Sequence, residues 1–544
     1  EFCPYLNISS CPTTEMGESR IIYLYNPLGH RLINHTVRLP IKNGYYYRIQ
    51  DQNNQSVPSV LVPIPEFVQK IPGRKSVATK ELVFRVPVIE PLGITTMYMY
   101  VDKNEQPNSA IEIKGENPDD NDDKSKWQVL TKNLIVEFYS NGTISRIFID
   151  KLHQSISISN EFRLYHGAGG TGRHSGAYIF RPNEQKTFPV TNKIKSTFFI
   201  DRKYHIVQEV HQQFDSSFVG QIIRMDKYND NVEFDFVVGP IPVNDQIGKE
   251  IIASYKTDLE NDETFYTDAN GRQMLRRRWN YRPSWKYNVQ EPISGNYYPV
   301  NSRIAIRDEK QSLQMTIMTD RSQGGSLSPE QINGSIDIMI HRRLLHDDYF
   351  GVGEALNEPG VDGHGLVIRG KHLLLLNSIK QSASEHRPLA QQMFMEPIIS
   401  FTSIESNKQA EKQSNQYIGL NNDLPSNVHL LTLEQWHSKR YLLRLEHFYQ
   451  SNEDTELSKP VKLSLRHLFK SFEIIAVEEL TLGANQPISS LKNRLHYRYN
   501  RPLEQRQQQQ SSLLLDDPKI EGENFDIHLS PMQIRTFLID IKRN

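Results

Sequence analysis

The strongest indication of the fold is the stretch of residues 134–149, which reads LIVEFYSNGTISRIFI. Apolar side chains stand at every second position before the dipeptide Asn141-Gly142, and an apolar run returns after it. Two such runs joined by Asn-Gly are typical of a β-hairpin, because this dipeptide accepts the positive φ angles of a tight turn. The sequence therefore predicts a pair of antiparallel strands here.

Similar strand and turn signals extend in both directions from this hairpin. Upstream, short apolar runs between residues 20 and 49 are separated by turn signals at residues 26–29 and 43–44, and residues 81–100 continue the pattern. We predict a mostly β protein without a long helix, made of several β-sandwich domains, the central one a large two-sheet sandwich. The strand candidates downstream are residues 198–201, 204–210, 232–238, 302–307, 313–318, 336–341, 428–433, 441–448, 461–465, 472–478, 525–529 and 534–541.

Polar stretches divide the chain, whose 544 residues are too many for one compact domain. Acidic residues crowd positions 117–124, apolar anchors are missing from positions 405–416, and glutamines dominate positions 504–510. Such stretches are typical of solvated connectors and insertions. The predicted organisation is an N-terminal segment (1–18), a small β-sandwich (19–105), an acidic linker (106–126), a large two-sheet domain (127–404), a polar surface stretch (405–425) and a C-terminal β-sandwich (426–544) with a Gln-rich insertion at about 503–515.

The composition excludes several classes of partner and fold. Lys and Arg total 63 against 64 for Asp and Glu, so the net charge of -1 gives no electrostatic case for nucleic acid or an anionic membrane. A mean hydropathy of -0.57 argues against a membrane span. The chain has only two cysteines, too few for a disulfide scaffold or a four-thiolate zinc site.

The two cysteines, Cys3 and Cys11, are close enough in sequence to form one disulfide. They flank an Asn-x-Ser/Thr sequon, which suits an oxidising compartment, so we expect the disulfide, with two free thiols as the alternative. The sequence starts at Glu1 without a signal peptide, so we expect a processed chain or a fragment. The five sequons, which are near the number expected by chance, permit a secretory route; they lie at Asn7, Asn34, Asn54, Asn141 and Asn333.

Several catalytic motifs are absent. The sequence has no Gly-x-Ser-x-Gly elbow, no phosphate-binding loop, no His-Glu-x-x-His and no Gly-x-Gly-x-x-Gly after a strand. What remains is a set of polar and aromatic segments in the central region. They are typical of a packed interface, since aromatics and Arg are enriched there, while a sugar site with stacking rings is the alternative. The segments are residues 265–272, 276–285, 295–303 and 319–326.

Residues 341–354 add a candidate binding element. They follow a strand with Ile336, Ile338 and Ile340 on one face, so Arg342 and Arg343 emerge where the strand ends. A guanidinium at a strand end is held rigidly and can form two hydrogen bonds with a carboxylate. The alternative is a local salt bridge from Arg343 to the aspartates at positions 347 and 348.

Over nearly its whole length the sequence resembles the C-terminal portion of family 38 glycoside hydrolases of the lysosomal α-mannosidase type. The similar motifs appear in one order along the chain, and the departures fall in the acidic linker, the stretch after residue 404 and the Gln-rich insertion. The motifs are residues 3–11, 25–29, 175–183, 238–243, 265–268, 295–303, 319–325, 341–354 and 531–537.

The resemblance implies the C-terminal part of a retaining enzyme that hydrolyses terminal α-linked mannose from glycoprotein-derived oligosaccharides in the lysosome. In that family the catalytic zinc, its His and Asp ligands, the nucleophile and the acid/base lie on an N-terminal α/β domain. The His-x-Asp-x-Gly-Trp zinc motif is absent here. We therefore expect no catalytic or metal-binding residue in this chain, zinc bound outside it, and an inactive chain without its partner domain. The sequence is compatible with a homo-oligomer.

The resemblance also implies where this chain contributes to the site. Tyr178, in the segment Ser175-Gly176-Ala177-Tyr178, resembles a tyrosine whose hydroxyl reaches the bound sugar. One of Arg342 and Arg343 resembles an arginine near the catalytic carboxylates, and strand alternation alone does not decide which. The central domain is expected to resemble the galactose mutarotase-like supersandwich. The alternative function is a stand-alone carbohydrate-binding β-protein without catalysis.

Overall fold

The computed structural model describes residues 1–103, 112–113, 127–169, 173–191, 193–216, 218–351, 353–404, 416–493 and 520–543. Most of the acidic linker, the first part of the polar surface stretch and the whole Gln-rich insertion lie outside these residues. Within them the chain is mostly β, as predicted, and every strand pair is antiparallel.

The elements are numbered in chain order. The N-terminal region contains β1 (Arg20–Tyr25), β2 (Leu32–Ile41), β3 (Tyr46–Asp51), β4 (Ser56–Val57), β5 (Ser59–Pro63), β6 (Lys80–Ile89), β7 (Ile94–Asp102), α1 (Pro12–Glu15) and α2 (Glu66–Gln69). The central region contains β8 (Glu112–Ile113), β9 (Trp127–Leu130), β10 (Leu134–Phe138), β11 (Ile144–Ile149), β12 (Gln154–His166), β13 (Phe188–Pro189), β14 (Ile194–Ile200), β15 (Gln208–Phe214), β16 (Val219–Met225), β17 (Asn231–Val238), β18 (Lys249–Thr257), β19 (Thr264–Ala269), β20 (Gln273–Arg278), β21 (Tyr298–Val300), β22 (Arg303–Asp308), β23 (Leu313–Thr319), β24 (Gln323–Ser326), β25 (Ser335–Arg343), β26 (Ile368–Ser378) and α3 (Ser382–Phe394). The remaining strands are β27 (Ile398–Ser403), β28 (Val428–His437), β29 (Arg440–His447), β30 (Val461–Ser464), β31 (Phe472–Leu480), β32 (Asp526–Leu529) and β33 (Ile534–Arg543).

The central region is a sandwich of two large sheets. One has nine described strands in the order β21-β24-β25-β18-β12-β11-β10-β9, with β13 beside β12. The other has ten, in the order β20-β19-β22-β23-β26-β17-β16-β15-β14-β8. Alternate residues of each strand enter the shared core, among them Phe138, Phe162, Phe234 and Tyr255. This matches the predicted two-sheet sandwich, and the hairpin predicted from residues 134–149 is formed by β10 and β11.

The N-terminal region packs a five-stranded sheet, β27-β1-β7-β3-β4, on a three-stranded sheet, β2-β6-β5. Strand β27 lies within the range predicted for the large domain, but its partner is β1. The C-terminal region has a four-stranded sheet, β28-β29-β33-β31, and the pair β30-β32 around a separate apolar core. Cys3 and Cys11 form the expected disulfide.

One element departs from the prediction of a chain without a long helix. Helix α3 spans thirteen residues and packs Ala390 and Met393 against strands β23 and β26. Its apolar stripe is weak, and it contains Pro388 as well as the buried side chains His386 and Arg387. These polar residues hide the helical period from a hydrophobicity pattern. Among the described residues, no helix is long and apolar enough to cross a membrane.

Buried charges join the N-terminal region to the outer face of the ten-stranded sheet. Arg224 Nε donates to Glu209 Oε2 over 2.9 Å, its Nη1 donates to Asp235 Oδ2 over 2.7 Å, and Arg369 Nη2 donates to the same Asp235 oxygen over 2.7 Å. From β2, Arg38 lies 3.4 Å from Glu209. Glu81 and Ser9 complete this set, which we call the interdomain network; its members are Ser9, Arg38, Glu81, Glu209, Arg224, Asp235 and Arg369.

The arginines decide the ionisation of this network. Burial alone raises the pKa of a carboxyl group, but Arg38 and Arg224 hold the pKa of Glu209 far below its usual range. Arg369 and Arg224 lower the pKa of Asp235 in the same way. Both carboxylates therefore stay charged in acid as well as at neutral pH.

Candidate functional site

The candidate site lies in the nine-stranded sheet, where the first residues of β18 pair with the last residues of β25. Ile336 and Ile338 face the core, but a β-bulge at Ile340 of β25, opposite Ile251 and Ile252 of β18, shifts the register. After the shift Arg342 lies opposite Glu250 on the outer face of the sheet. The bulge therefore reverses the face that simple alternation assigns to the end of β25.

Glu250 is the centre of a buried hydrogen-bond cluster on this outer face. Its Oε1 accepts hydrogen bonds from Arg342 Nε at 2.8 Å, Arg342 Nη2 at 2.6 Å and Ser175 Oγ at 2.8 Å. The residue is fully buried. Burial raises the pKa of Glu250, while Arg342 and the Ser175 hydroxyl oppose that rise. We call Glu250, Arg342 and Ser175 the loop network, because it holds the loop described next.

The loop of residues 173–182 carries Tyr178 across this cluster. Arg342 Nη2 donates to the Ile179 carbonyl over 2.8 Å, and the Tyr178 backbone N–H donates to Asp348 Oδ2 over 2.8 Å. The backbone beside Tyr178 is thus held from two directions. Its side chain, in contrast, is 68% exposed. The arrangement presents a phenol to the outside from a fixed backbone.

Arg343 lies on the other side of the strand. Its Nε donates to Asn357 Oδ1 over 2.7 Å, and its Nη1 donates to the carbonyls of Ile241 and His364 at 2.8 and 2.7 Å. The structure therefore brings Arg342, and not Arg343, next to the Tyr178 loop. The alternative salt bridge from Arg343 to the aspartates is not formed, because Asp348 accepts backbone N–H groups instead.

Aromatic and basic side chains lie within the Tyr178 loop and beside Asp348, which binds that loop. The rings of His174 and His346 are 4.5 Å apart, and His174 lies 5.5 Å from the ring of Tyr349. The guanidinium of Arg173 lies over Phe350 at 5.0 Å. Tyr349 and Phe350 are largely exposed. The surface around the candidate site therefore offers flat rings and hydrogen-bond donors, the groups that sugar binding requires.

A second buried carboxyl lies on the same face of the nine-stranded sheet. Asp337 of β25 is completely buried and accepts a hydrogen bond from Ser254 Oγ over 2.6 Å. Burial raises its pKa from 3.8 to about 6, against smaller opposing contributions from Ser254 and Lys256. Neither Asp337 nor Glu250 was predicted from the sequence. Each is the only carboxylate of its strand and stands next to an isoleucine, and a buried carboxylate is uncommon unless the charge has a partner.

The polar segments of the central region mostly bind one another. Asp268 accepts backbone hydrogen bonds from Asn301, Ser302 and Arg303, so two of the segments form one unit. Arg272 forms an ion pair with Glu446 and donates to the Met532 carbonyl in the C-terminal region. These contacts favour the interface interpretation over the sugar site for this part of the chain.

The described residues also bear on the expected zinc. No group of three or more His, Cys, Asp or Glu side chains within them is arranged to hold a metal ion. The residues at the Tyr178 loop therefore do not fit a zinc site, and no chemical step is assigned to a metal here. Of the sequon asparagines, Asn7, Asn54 and Asn333 are exposed, and Asn34 and Asn141 are half-buried.

Comparison with known proteins gives consistent matches. The model of the glycosyl hydrolases family 38 C-terminal domain matches residues 129–350, and that of the family 38 C-terminal beta sandwich domain matches residues 427–537. Lysosomal alpha-mannosidases of Cavia porcellus and Homo sapiens are each 37% identical, over 565 and 551 residues, and each match covers 99% of this chain and 51% of the relative. The chain thus spans about half the length of these relatives.

Solved structures give the same architecture. An alpha-mannosidase from Enterococcus faecalis V583 superposes with a TM-score of 0.55 at 12% identity, covering 98% of this chain and 57% of that one. A glycosyl hydrolase family 38 protein from Enterococcus faecalis has a TM-score of 0.57 at 12% identity, with coverage of 96% and 58%. At this identity the likeness supports the fold alone.

Proposed function

From the two C-terminal domains of glycosyl hydrolase family 38 that it carries, we infer that this chain is the C-terminal part of a retaining lysosomal-type α-mannosidase. The substrate would be terminal α-linked mannose on glycoprotein-derived oligosaccharides. Reaction would proceed with retention, through two carboxyl groups that stand outside this chain. The relatives share the matched region and extend over about twice its length, which supports an N-terminal catalytic domain as the partner.

The observation that carries this proposal is the position of Tyr178. Its backbone is fixed beside Arg342 while its ring is exposed, so its hydroxyl can donate to a sugar oxygen without a loop rearrangement. We propose that Tyr178 forms part of the wall of the substrate site. The partner domain would supply the opposite wall.

Arg342 would act beside it as a fixed positive charge. Two of its guanidinium nitrogens are used within the loop network, and among the described residues Nη1 donates to none. A cation at this position favours the ionised form of a nearby nucleophilic carboxylate. We assign Arg343 a different task, which is to hold residues 357–364 against Ile241.

Zinc would bind on the partner domain, where it would hold adjacent mannose hydroxyls. We also propose the division into an N-terminal sandwich, a central domain and a C-terminal sandwich, with β27 added to the first. The separate apolar cores support that division. A galactose mutarotase-like central domain is part of the same proposal.

The test is a kinetic comparison in the full-length protein with 4-nitrophenyl α-D-mannopyranoside. Tyr178→Phe removes one positioned donor, and we expect kcat to fall about tenfold or more, as for other single donors at active sites. Tyr139→Phe is the matched control, since Tyr139 is an exposed tyrosine in the β10–β11 turn. Proton NMR of the first product should show the α-anomer.

Two results would contradict the proposal. A full-length protein that binds α-mannosides but does not hydrolyse them would instead support the carbohydrate-binding alternative. The exposed rings near Tyr178 also allow that alternative. Activity of Tyr178→Phe equal to that of Tyr139→Phe would remove Tyr178 from the site.

A further inference from the structure

Among the described residues two buried carboxylates touch the Tyr178 loop, Asp348 and Glu250, and Glu250 is the one that Arg342 contacts. All three of its hydrogen bonds end on Oε1, and Oε2 has no partner within hydrogen-bond distance among those residues. A buried carboxylate costs several kcal/mol to desolvate, and one arginine with one hydroxyl recovers only part of that cost. Such a residue weakens the fold more than an apolar one of the same size would, so its presence calls for another explanation.

The contacts of Ser175 show what Glu250 controls. The Ser175 hydroxyl donates to Glu250 and accepts the backbone N–H of Arg181 over 3.0 Å. It also lies 3.2 Å from the Ile179 carbonyl, the same oxygen that Arg342 contacts. Both ends of the turn around Tyr178 are therefore linked to Oε1 of Glu250, one directly through Ser175 and the other through Arg342, which contacts the Ile179 carbonyl.

The outer side of the turn has little freedom. The N–H of Gly176 donates to the Ile179 carbonyl over 2.9 Å, and a Cβ added at Gly176 would lie 2.6 Å from the Cβ of Asp348. Asp348 in turn accepts the Tyr178 N–H. The loop is thus held between the buried carboxylate of Asp348 on one side and the loop network on the other.

We propose that Glu250 is a positioning residue for the α-mannosidase reaction. Its charge fixes the guanidinium of Arg342 and the turn that carries Tyr178, so that both face the sugar in one geometry. Glu250 itself does not touch substrate. This inference rests on the proposed function of Tyr178.

The first measurement is amide hydrogen exchange on the full-length protein. Glu250→Gln removes the charge at constant size, and we expect exchange in residues 174–182 to rise about tenfold. Amides in the cores of β12, β18 and β25 should keep their wild-type exchange. Asp337→Asn is the matched control, because it neutralises an equally buried carboxyl of the same sheet face without a hydrogen bond to the loop.

The second measurement is kinetic. For Glu250→Gln we expect kcat on 4-nitrophenyl α-D-mannopyranoside to fall at least tenfold with KM changed less than about threefold, since misplaced groups lose transition-state contacts first. Glu250→Asp keeps the charge but withdraws it by one methylene, so an intermediate kcat is expected. This variant keeps the test valid if the Gln variant does not fold. Asp337→Asn should retain wild-type kcat.

The outcomes separate the two proposals. If Tyr178→Phe keeps full activity, the proposed function of Tyr178 fails, whatever Glu250 does. If Tyr178→Phe is slow but Glu250→Gln and Glu250→Asp match the wild type in both kcat and loop exchange, the positioning role is wrong and the proposed function stands. If exchange rises equally in the loop and in the strand cores, Glu250 is only a structural residue.

Discussion

The two sheets of the central sandwich each carry buried carboxylates on their outer face, and the two sets differ in ionisation. In the interdomain network, arginines contact Glu209 and Asp235, whose pKa values are lowered. On the opposite sheet Glu250 has one arginine and Asp337 none in contact, and burial raises both pKa values. Burial is equally deep in the two sets. The number of cations within contact distance therefore decides the direction of the shift.

The difference distinguishes a network that connects two regions from a network that supports the candidate site. The interdomain network remains charged across the acidic range, as a permanent connection between two regions must. Glu250, beneath the Tyr178 loop, is held by a single arginine, and we propose that its arrangement serves the site. Each of the following experiments tests this contrast by removing one of its elements.

The largest effect is expected from Arg224→Met. This change leaves Glu209, Glu233 and Asp235 with one cation fewer, at contacts of 2.9, 2.6 and 2.7 Å. Breaking a buried ion pair by removing one partner costs about 3–5 kcal/mol, because the other charge stays buried. The urea midpoint of the variant should fall accordingly at pH 7.

Arg440→Met is the control for Arg224→Met. Arg440 pairs with Asp540 on the surface, with its side chain 45% exposed, and such a pair contributes little to stability because solvent screens it. If both variants lose the same small amount of stability, the interdomain network does not stabilise the connection between the N-terminal region and the central sandwich.

The next effect concerns pH and Asp337. Its pKa in the folded chain is about 6 against an ordinary value of 3.8, so the native state binds this proton more tightly than the unfolded chain does. The stabilisation is complete below pH 3.8 and is lost as the pH rises through 6. From pH 4.5 to 7.5 the wild type should lose about 2 kcal/mol from this group.

Asp337→Asn should abolish that part of the pH dependence. Relative to the wild type, its urea midpoint should rise between pH 4.5 and 7.5 by an amount equivalent to about 2 kcal/mol. Glu209→Gln is the opposite case, since the lowered pKa of Glu209 stabilises the native state above pH 4.5 and that contribution is lost only as the pH falls further. A parallel pH dependence in both variants would contradict the contrast between the two networks.

Much of the fold followed from alternation, and the exceptions have physical causes. Strands β10 and β11 lie where residues 134–149 predicted a hairpin, because a half-buried strand shows its period directly. Helix α3 was missed since its buried face includes the polar residues His386 and Arg387, and Arg387 donates to the Phe448 carbonyl, far away in sequence. Arg387 is buried and paired with Glu453, and no sequence pattern near Arg387 indicates that pairing.

The site was less predictable than the fold. Tyr178 came from a resemblance, whereas the two arginines were also indicated by their position at a strand end, and alternation could not choose between Arg342 and Arg343. The choice depends on the bulge at Ile340 of β25, which becomes visible only when that strand is paired with β18. Glu250 acquires its role only when the loop of residues 173–182 folds over it, so its importance could not be read from β18 alone.

The smallest effect distinguishes the networks through two serines. Ser9 donates to Glu81 over 2.6 Å and Ser175 donates to Glu250 over 2.8 Å. Ser9→Ala should lower overall stability by about 1 kcal/mol, because Glu81 keeps Arg38 nearby and loses one hydrogen bond. Ser175→Ala should lower the midpoint by a similar amount, because the buried Glu250 also loses one hydrogen bond, and should in addition increase amide exchange within residues 174–182, since its bonds close the turn around Tyr178. A lower midpoint for Ser175→Ala without faster exchange in residues 174–182 would mean that the loop network supports the fold in the same way as the interdomain network.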